Sequence, residues 1–109
     1  MTEAIVVITT CDERDVLEKI THQLVQRKLA ACCQIMGPII STYRWKEIVE
    51  HAEEWMCTIK TTREAYSMVE ALILELHAYE QPEIIAHEIC CGSPGYLAWL
   101  NDQVEGVRQ

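Results

Sequence analysis

Apolar positions along the chain fall into extended runs and helical stripes whose order repeats. Ile5-Val6-Val7-Ile8, continued by Thr9-Thr10, has no charged interruption and predicts a short central strand covered on both faces. Val16, Leu17, Ile20, Leu24 and Val25 then recur at spacings of three and four, an amphipathic helix. Asp12 is its expected N-cap, Asp15 adds charge in the first turn, and Arg27 and Lys28 suit its C-terminal end. Leu29 to Met36 is again apolar at nearly every position. Gly37-Pro38 marks a kink or bulge, and Ile39 to Trp45 continues in looser alternation. The reversal is expected in the charged segment Lys46 to Glu54, after which Trp55 to Thr61 returns. Thr61 or Thr62 is placed to cap a second helix, with Glu64 completing a capping box if Thr61 is the cap. Tyr66, Val69, Leu72, Ile73 and Leu76 form its buried face, and Pro82 shows that the chain has left helical geometry by then. Glu83 to Ile89 reads as the last main strand. Ser93-Pro94 starts a short helix with Leu97, Trp99, Leu100 and Val104 on its apolar side.

Strand, helix, strand therefore occurs twice. Right-handed crossovers make the first and second strands parallel to each other, and likewise the third and fourth. The predicted fold is α+β: a ferredoxin-like split βαβ arrangement (βαββαβ) with an extended β2-β3 hairpin and a short C-terminal helix. Residues 1–109 are read as one such domain. Both long helices lie on one face of the sheet, so apolar residues on the other face stay uncovered. The long hairpin arms also outrun the sheet that a domain of this size supplies. Burying several hundred Å² of that face contributes on the order of 10 kcal/mol gross, before association costs, and a second copy of the chain is the expected cover.

Charge narrows the partners. Nine basic against seventeen acidic side chains give a net charge of -8, which provides no cationic footprint for a phosphate backbone or an anionic membrane surface. Met1-Thr2-Glu3-Ala4 lacks a basic start, and Ile5 to Ile8 is too short for a signal peptide or a span, so a cytosolic (cytoplasmic) protein is expected. Six cysteines stand at 11, 32, 33, 57, 90 and 91. Two adjacent pairs are read as lying inside apolar strands, where neighbours point to opposite faces. Cys32 with Cys33, and Cys90 with Cys91, are thus expected to pack as small hydrophobes rather than share a metal or a disulfide.

No nucleophile motif, phosphate-cradling glycine loop or zinc signature is present, so neither an enzyme nor an organic cofactor is expected. Glu47, Glu50, Glu53 and Glu54, with His51 among them, read as a solvated charged turn or as a weak divalent-cation surface. His77, Tyr79, Glu80 and Glu83 bracket Pro82 in a loop near strand ends, the best-placed candidate site. There His77 is a candidate imidazole ligand for copper or zinc, with Glu80 or a thiol such as Cys11 completing the shell. The alternative role for His77 is bonding to carbonyls at the helix end. Tyr43, Trp45 and Trp55 offer stacking surfaces for a flat ligand or packing surfaces for a neighbouring subunit. A second candidate is a small-ligand pocket between subunits lined by Tyr79, Trp45 and Lys60. His22 and His87 have no ligand spacing to a partner.

Six blocks then carry a resemblance: Arg27-Lys28-Leu29-Ala30-Ala31-Cys32, Tyr43-Arg44-Trp45-Lys46, Ile59-Lys60-Thr61, His77-Ala78-Tyr79-Glu80, Pro82-Glu83-Ile84-Ile85-Ala86 and Tyr96-Leu97-Ala98-Trp99-Leu100. In this order, over essentially the whole chain, they resemble the CutA family of divalent-cation tolerance proteins. The resemblance implies a ferredoxin-like protomer in a tight homotrimer, similar to the trimeric PII signalling proteins, and a link to tolerance of copper and other divalent metals. It implies a non-catalytic protein that binds Cu(II) or another divalent cation, with a PII-like ligand sensor as the alternative. The chain departs from the family pattern in three ways. Ala78 stands between His77 and Tyr79 where the family has proline, and Glu47 stands where it has glycine. The copper ligands that the resemblance implies are a first-strand cysteine and two consecutive histidines after the second helix. Here Thr9 and Leu76-His77 occupy those places, with Cys11 two residues along on the same strand face.

Overall fold

All of these runs become elements in a computed structural model that describes residues 3–105; the reading of Met1 and Thr2 lies outside them. The order is β1 (Ala4–Cys11), α1 (Arg14–Gln26), β2 (Cys32–Trp45), β3 (Ile48–Thr62), α2 (Tyr66–Leu76), β4 (Ile84–Glu88) and α3 (Pro94–Gln103). The sheet runs β2-β3-β1-β4, every neighbouring pair antiparallel. β1 and β2 consequently share a direction with β3 between them, and β3 and β4 share one with β1 between them. That is the split βαβ order expected from two crossover units.

Odd positions of β1 face the helices. Ile5, Val7 and Cys11 are buried there with Leu17, Ile20 and Leu24 of α1, Val69, Leu72 and Ile73 of α2, and Cys57 and Ile59 of β3. α3 adds a smaller cluster, in which Leu100 and Val104 meet Ala4, Ala31 and Ala65. Even positions face away from the helices over most of the strand, where Val6 and Ile8 stay half-buried and Ile85, paired with Ile8, is exposed. Lys60, Thr58 and Gln34 share that face, joined by hydrogen bonds from Lys60 Nζ (2.6 Å) and Thr58 Oγ1 (3.3 Å) to Gln34 Oε1.

The hairpin does outrun the sheet. β1 pairs with β3 only between Trp55 and Thr62, and beyond that the arms Ile39–Trp45 and Ile48–Glu54 pair with each other alone. Ile40, Ile48 and Val49 on this ribbon are 71%, 61% and 55% exposed, an apolar surface that one copy of the chain does not cover. The arm breaks register between Met36 and Ile39, at Gly37 (φ +150). A Cβ at Gly37 would lie 2.9 Å from the Trp55 ring and 3.1 Å from the Glu54 carbonyl, so the close approach of the two arms requires glycine.

Several local expectations are corrected. The reversal is a tight turn at Lys46-Glu47, both left-handed (φ 52 and 68), and the charged residues 48–54 belong to a strand. Glu47 thus occupies a backbone position that glycine adopts more easily. α1 begins at Arg14 with Glu13 in the N-cap position and no side-chain cap hydrogen bond, so Asp12 stands one residue too early to cap it; its N–H donates to the Tyr79 hydroxyl. Arg27 follows the last helical residue and Lys28 turns left-handed (φ 61), so neither lies in the final turn. Thr61 cannot cap α2, because it still belongs to β3 and the N-cap position falls at Ala65; its hydroxyl donates to the Leu29 carbonyl at 2.6 Å. Thr62 Oγ1 accepts the Ala65 N–H at 3.3 Å in the turn before the helix, and no capping box forms.

Candidate functional site

A cleft of about 840 Å³ opens where the outer hairpin passes the end of β1 and the α2–β4 loop. Three segments wall it: Tyr43, Trp45, Glu50 and Glu54 from the arms, Thr10 and Asp12 from β1 and its exit, and Tyr79 to Glu83 from the loop. The loop reaches this place because α2 stops at His77, whose backbone is extended (φ -70, ψ 147), and because Pro82 is buried.

Two clasps fix the loop to β1. His77 Nε2–H donates to the Thr10 carbonyl at 2.7 Å, while His77 Nδ1 accepts the Tyr79 N–H at 3.0 Å. The two bonds together settle the tautomer and engage both ring nitrogens. Tyr79 then joins all three walls. Its hydroxyl accepts the Asp12 N–H at 2.8 Å and donates to Glu54 Oε2 at 2.6 Å. Glu54 is only 6% exposed, and no ion pair with lysine or arginine reaches it among the described residues. Burial, followed by the hydrogen bond to Glu54, pushes the Tyr79 hydroxyl well above the usual tyrosine range, so it holds its proton as a donor at neutral pH.

Asp12, Glu50, Glu54, Glu80 and Glu83 bring five carboxylates to this one cleft, and no lysine or arginine lines it among the described residues. Such a field concentrates cations. The carboxylates are spread around the walls, however, and among the described residues no three His, Cys, Asp or Glu side chains stand close enough to hold one ion.

The sequence-predicted metal residues separate in space. Glu80 lines the cleft. Cys11 is buried in the core, where its sulfur accepts the Glu13 N–H at 3.5 Å and burial raises its thiol pKa. His77 stands behind the cleft wall with its nitrogens occupied, the carbonyl-binding role weighed as its alternative. Of the three ligand-pocket residues, Tyr79 and Trp45 meet in the cleft. Lys60 lies six residues beyond Glu54 along β3, about 20 Å at strand rise, with its ammonium on Gln34. Among the hairpin carboxylates, Glu47, Glu50 and Glu53 are exposed as a solvated edge requires, but Glu54 is not. Sequence reasoning missed Asp12 as a site residue, and it placed Glu54 on a solvated edge or weak cation surface without foreseeing its burial. Glu54 carries no local signal, because its burial depends on a tyrosine 25 residues later in the chain.

The sequence profile described as "CutA1 divalent ion tolerance protein" matches residues 5–103. The chain belongs to the CutA1 family. It is 36% identical over 97 residues to the "Divalent-cation tolerance protein CutA" of Thermus thermophilus, covering 89% of this chain and 94% of that protein. With "Protein CutA, chloroplastic" of Arabidopsis thaliana it shares 36% identity over 99 residues, 91% of this chain and 54% of that longer protein. The crystal structure of CutA from Xylella fastidiosa superposes with a TM-score of 0.92 at 33% identity, over 95% of this chain and all of that one. The mixed α+β architecture with its four-stranded antiparallel sheet is therefore that of solved CutA proteins. Among the described residues no helix is long and apolar enough to cross a membrane. Within this CutA frame, Thr9 sits wholly buried on the helix-facing side of β1, with no hydrogen-bond partner for its hydroxyl among the described residues. Cys11 follows on the same side, as the strand continues through it.

Proposed function

We propose that the chain is a non-catalytic, cytosolic divalent-cation tolerance protein that works as a homotrimer and collects copper or another divalent cation in the acidic cleft. The observation that carries this reading is the convergence of five carboxylates on a cleft without a balancing cation. Membership of a family named for divalent ion tolerance supports it. Oxygen donors suit a divalent ion held partly through water, and the spread of the carboxylates means that one copy supplies attraction rather than a closed shell. Closure then falls to a second copy. The unpaired ribbon beside the cleft, with Ile40, Ile48 and Val49 exposed, is the surface such a copy would cover. The small-ligand sensor reading lacks its cationic anchor, since Lys60 is held at Gln34 away from the cleft.

The test is calorimetric titration of Cu(II) into wild type, Glu50→Gln/Glu83→Gln and His77→Ala, alongside solution mass. The double variant is expected to bind about tenfold more weakly, a change of about 1.4 kcal/mol. His77→Ala is expected to bind like wild type, and the mass to be three times the 12.5 kDa of one chain. Loss in His77→Ala alone would move the metal to His77 with Cys11 and Glu80. A monomer, or no binding at micromolar copper, removes the proposal.

A further inference from the structure

The Cys90-Cys91 pair does not follow the strand rule that sends neighbours to opposite faces. β4 ends at Glu88, and both cysteines lie in the connection to α3. There the two sulfurs turn toward one another, 3.6 Å apart, and both residues are exposed and free. The connection is anchored on each side. Ile89 N–H donates to the Ala4 carbonyl at 3.1 Å, and the Leu97 N–H returns to the Ser93 carbonyl at 3.0 Å in the first turn of α3. Gly92 lies against Leu97, where an added Cβ would sit 3.2 Å from its side chain. The thiols are therefore presented by a short, tethered segment.

Their separation suits a shared third atom. Two sulfurs on a tetrahedral ion, each about 2.3 Å from it, stand about 3.8 Å apart. A disulfide would require closure to about 2.05 Å within a ring of adjacent residues, which is strained. We propose that Cys90 and Cys91 form a vicinal dithiol clasp that takes a soft, thiophilic centre through both sulfurs. It is independent of the acidic cleft, which neither cysteine lines. The other thiols are poorly placed to compete: burial pushes Cys33 and Cys57 up to about 12, and Cys32 lies against the Tyr96 hydroxyl at 3.5 Å.

Two sources share this chemistry. With a soft divalent cation, two S–H bonds break, two metal–sulfur bonds form and two protons pass to solvent. With a trivalent arsenical of the phenylarsine oxide type, two arsenic–sulfur bonds form and the oxygen leaves as water with both thiol protons. Neither step changes an oxidation state.

The experiment uses the full reduced chain with Cys90→Ser, Cys91→Ser and, as control, Cys32→Ser. Cd(II) is titrated while thiolate-to-metal charge-transfer absorbance and released protons are followed, and phenylarsine oxide uptake is read by intact mass. Wild type and Cys32→Ser are expected to take one centre per chain, and either clasp substitution to weaken uptake at least about tenfold. Uptake of Cd(II) identifies a divalent cation as the occupant, and uptake of the arsenical alone identifies the condensing class. Wild-type uptake surviving in a single clasp variant, or no uptake of either probe by wild type, overturns the proposal. The Glu50→Gln/Glu83→Gln variant should keep the clasp, which separates this outcome from failure of the cleft reading.

Discussion

Replacing Tyr79 by phenylalanine removes one oxygen and tests how the cleft is held together. That oxygen accepts the Asp12 N–H at 2.8 Å and donates to the buried Glu54 carboxylate at 2.6 Å. Asp12 is exposed, so water can replace its acceptor at little cost. Glu54 is 6% exposed and loses a charge-assisted donor, which costs roughly 1.5–3 kcal/mol. The expected loss is therefore about 2 kcal/mol. With a urea m-value of about 2 kcal/mol/M, that moves the unfolding midpoint down by about 1 M with m unchanged. Protein concentration must be equal across variants, because assembly couples to unfolding. Tyr43→Phe is the matched control. Its hydroxyl meets Glu50 at 3.5 Å on the exposed ribbon, and its removal should leave the urea midpoint unchanged. A double-mutant cycle with Glu54→Gln should return at least about 1 kcal/mol of coupling. A loss below about 0.5 kcal/mol for Tyr79→Phe, or no coupling, would refute the claim that this hydroxyl satisfies Glu54.

Further outcomes follow from the same geometry. Thr9→Val keeps the shape and removes a buried hydroxyl without a partner, so urea unfolding should show a gain of about 1 kcal/mol; a loss would mean that the hydroxyl is bonded. Gly37→Ala should cost about 2 kcal/mol from the contacts with Trp55 and Glu54, whereas Glu47→Gly should be neutral or stabilising because φ 68 is strained for glutamate; thermal melts with the signs exchanged would contradict this. Cys33 and Cys57 ionise near pH 9.0 when unfolded but near 12 when folded. Stability should thus be complete below pH 9 and fall as pH rises toward 12, since the unfolded chain releases its protons first. Tyr79 acts in the same direction above about pH 10, so Tyr79→Phe should soften the alkaline loss; a pH series of urea midpoints checks both. Thiol alkylation followed by mass spectrometry at pH 8 should label Cys90 and Cys91 in the native protein and reach Cys33 and Cys57 only on unfolding.

How much was legible in the chain varies with the range of the interaction. The seven elements follow from local periodicity and from breakers such as Gly37, Pro82 and Ser93-Pro94, because side-chain period and backbone restriction act within a few residues. Sheet order follows from crossover handedness once the elements are known. Helix starts were less legible. Asp12 and Thr61 have the chemistry of caps, but the N-cap positions fall at Glu13 and Ala65, and Thr61 stays in a strand paired with β1.

The split βαβ fold, the over-long ribbon, the acidic charge and the family could all be read along the chain, because patterns over neighbouring residues and blocks of matching residues carry them. Folding in three dimensions was needed to bury Glu54 under Tyr79, to occupy both nitrogens of His77, to set Lys60 away from Trp45, and to turn Cys90 and Cys91 toward each other once β4 has ended. Each of these depends on groups brought together across long loops, or on where a strand stops. A hydrogen bond at 2.6 Å between residues 25 apart leaves no trace in the spacing of either one.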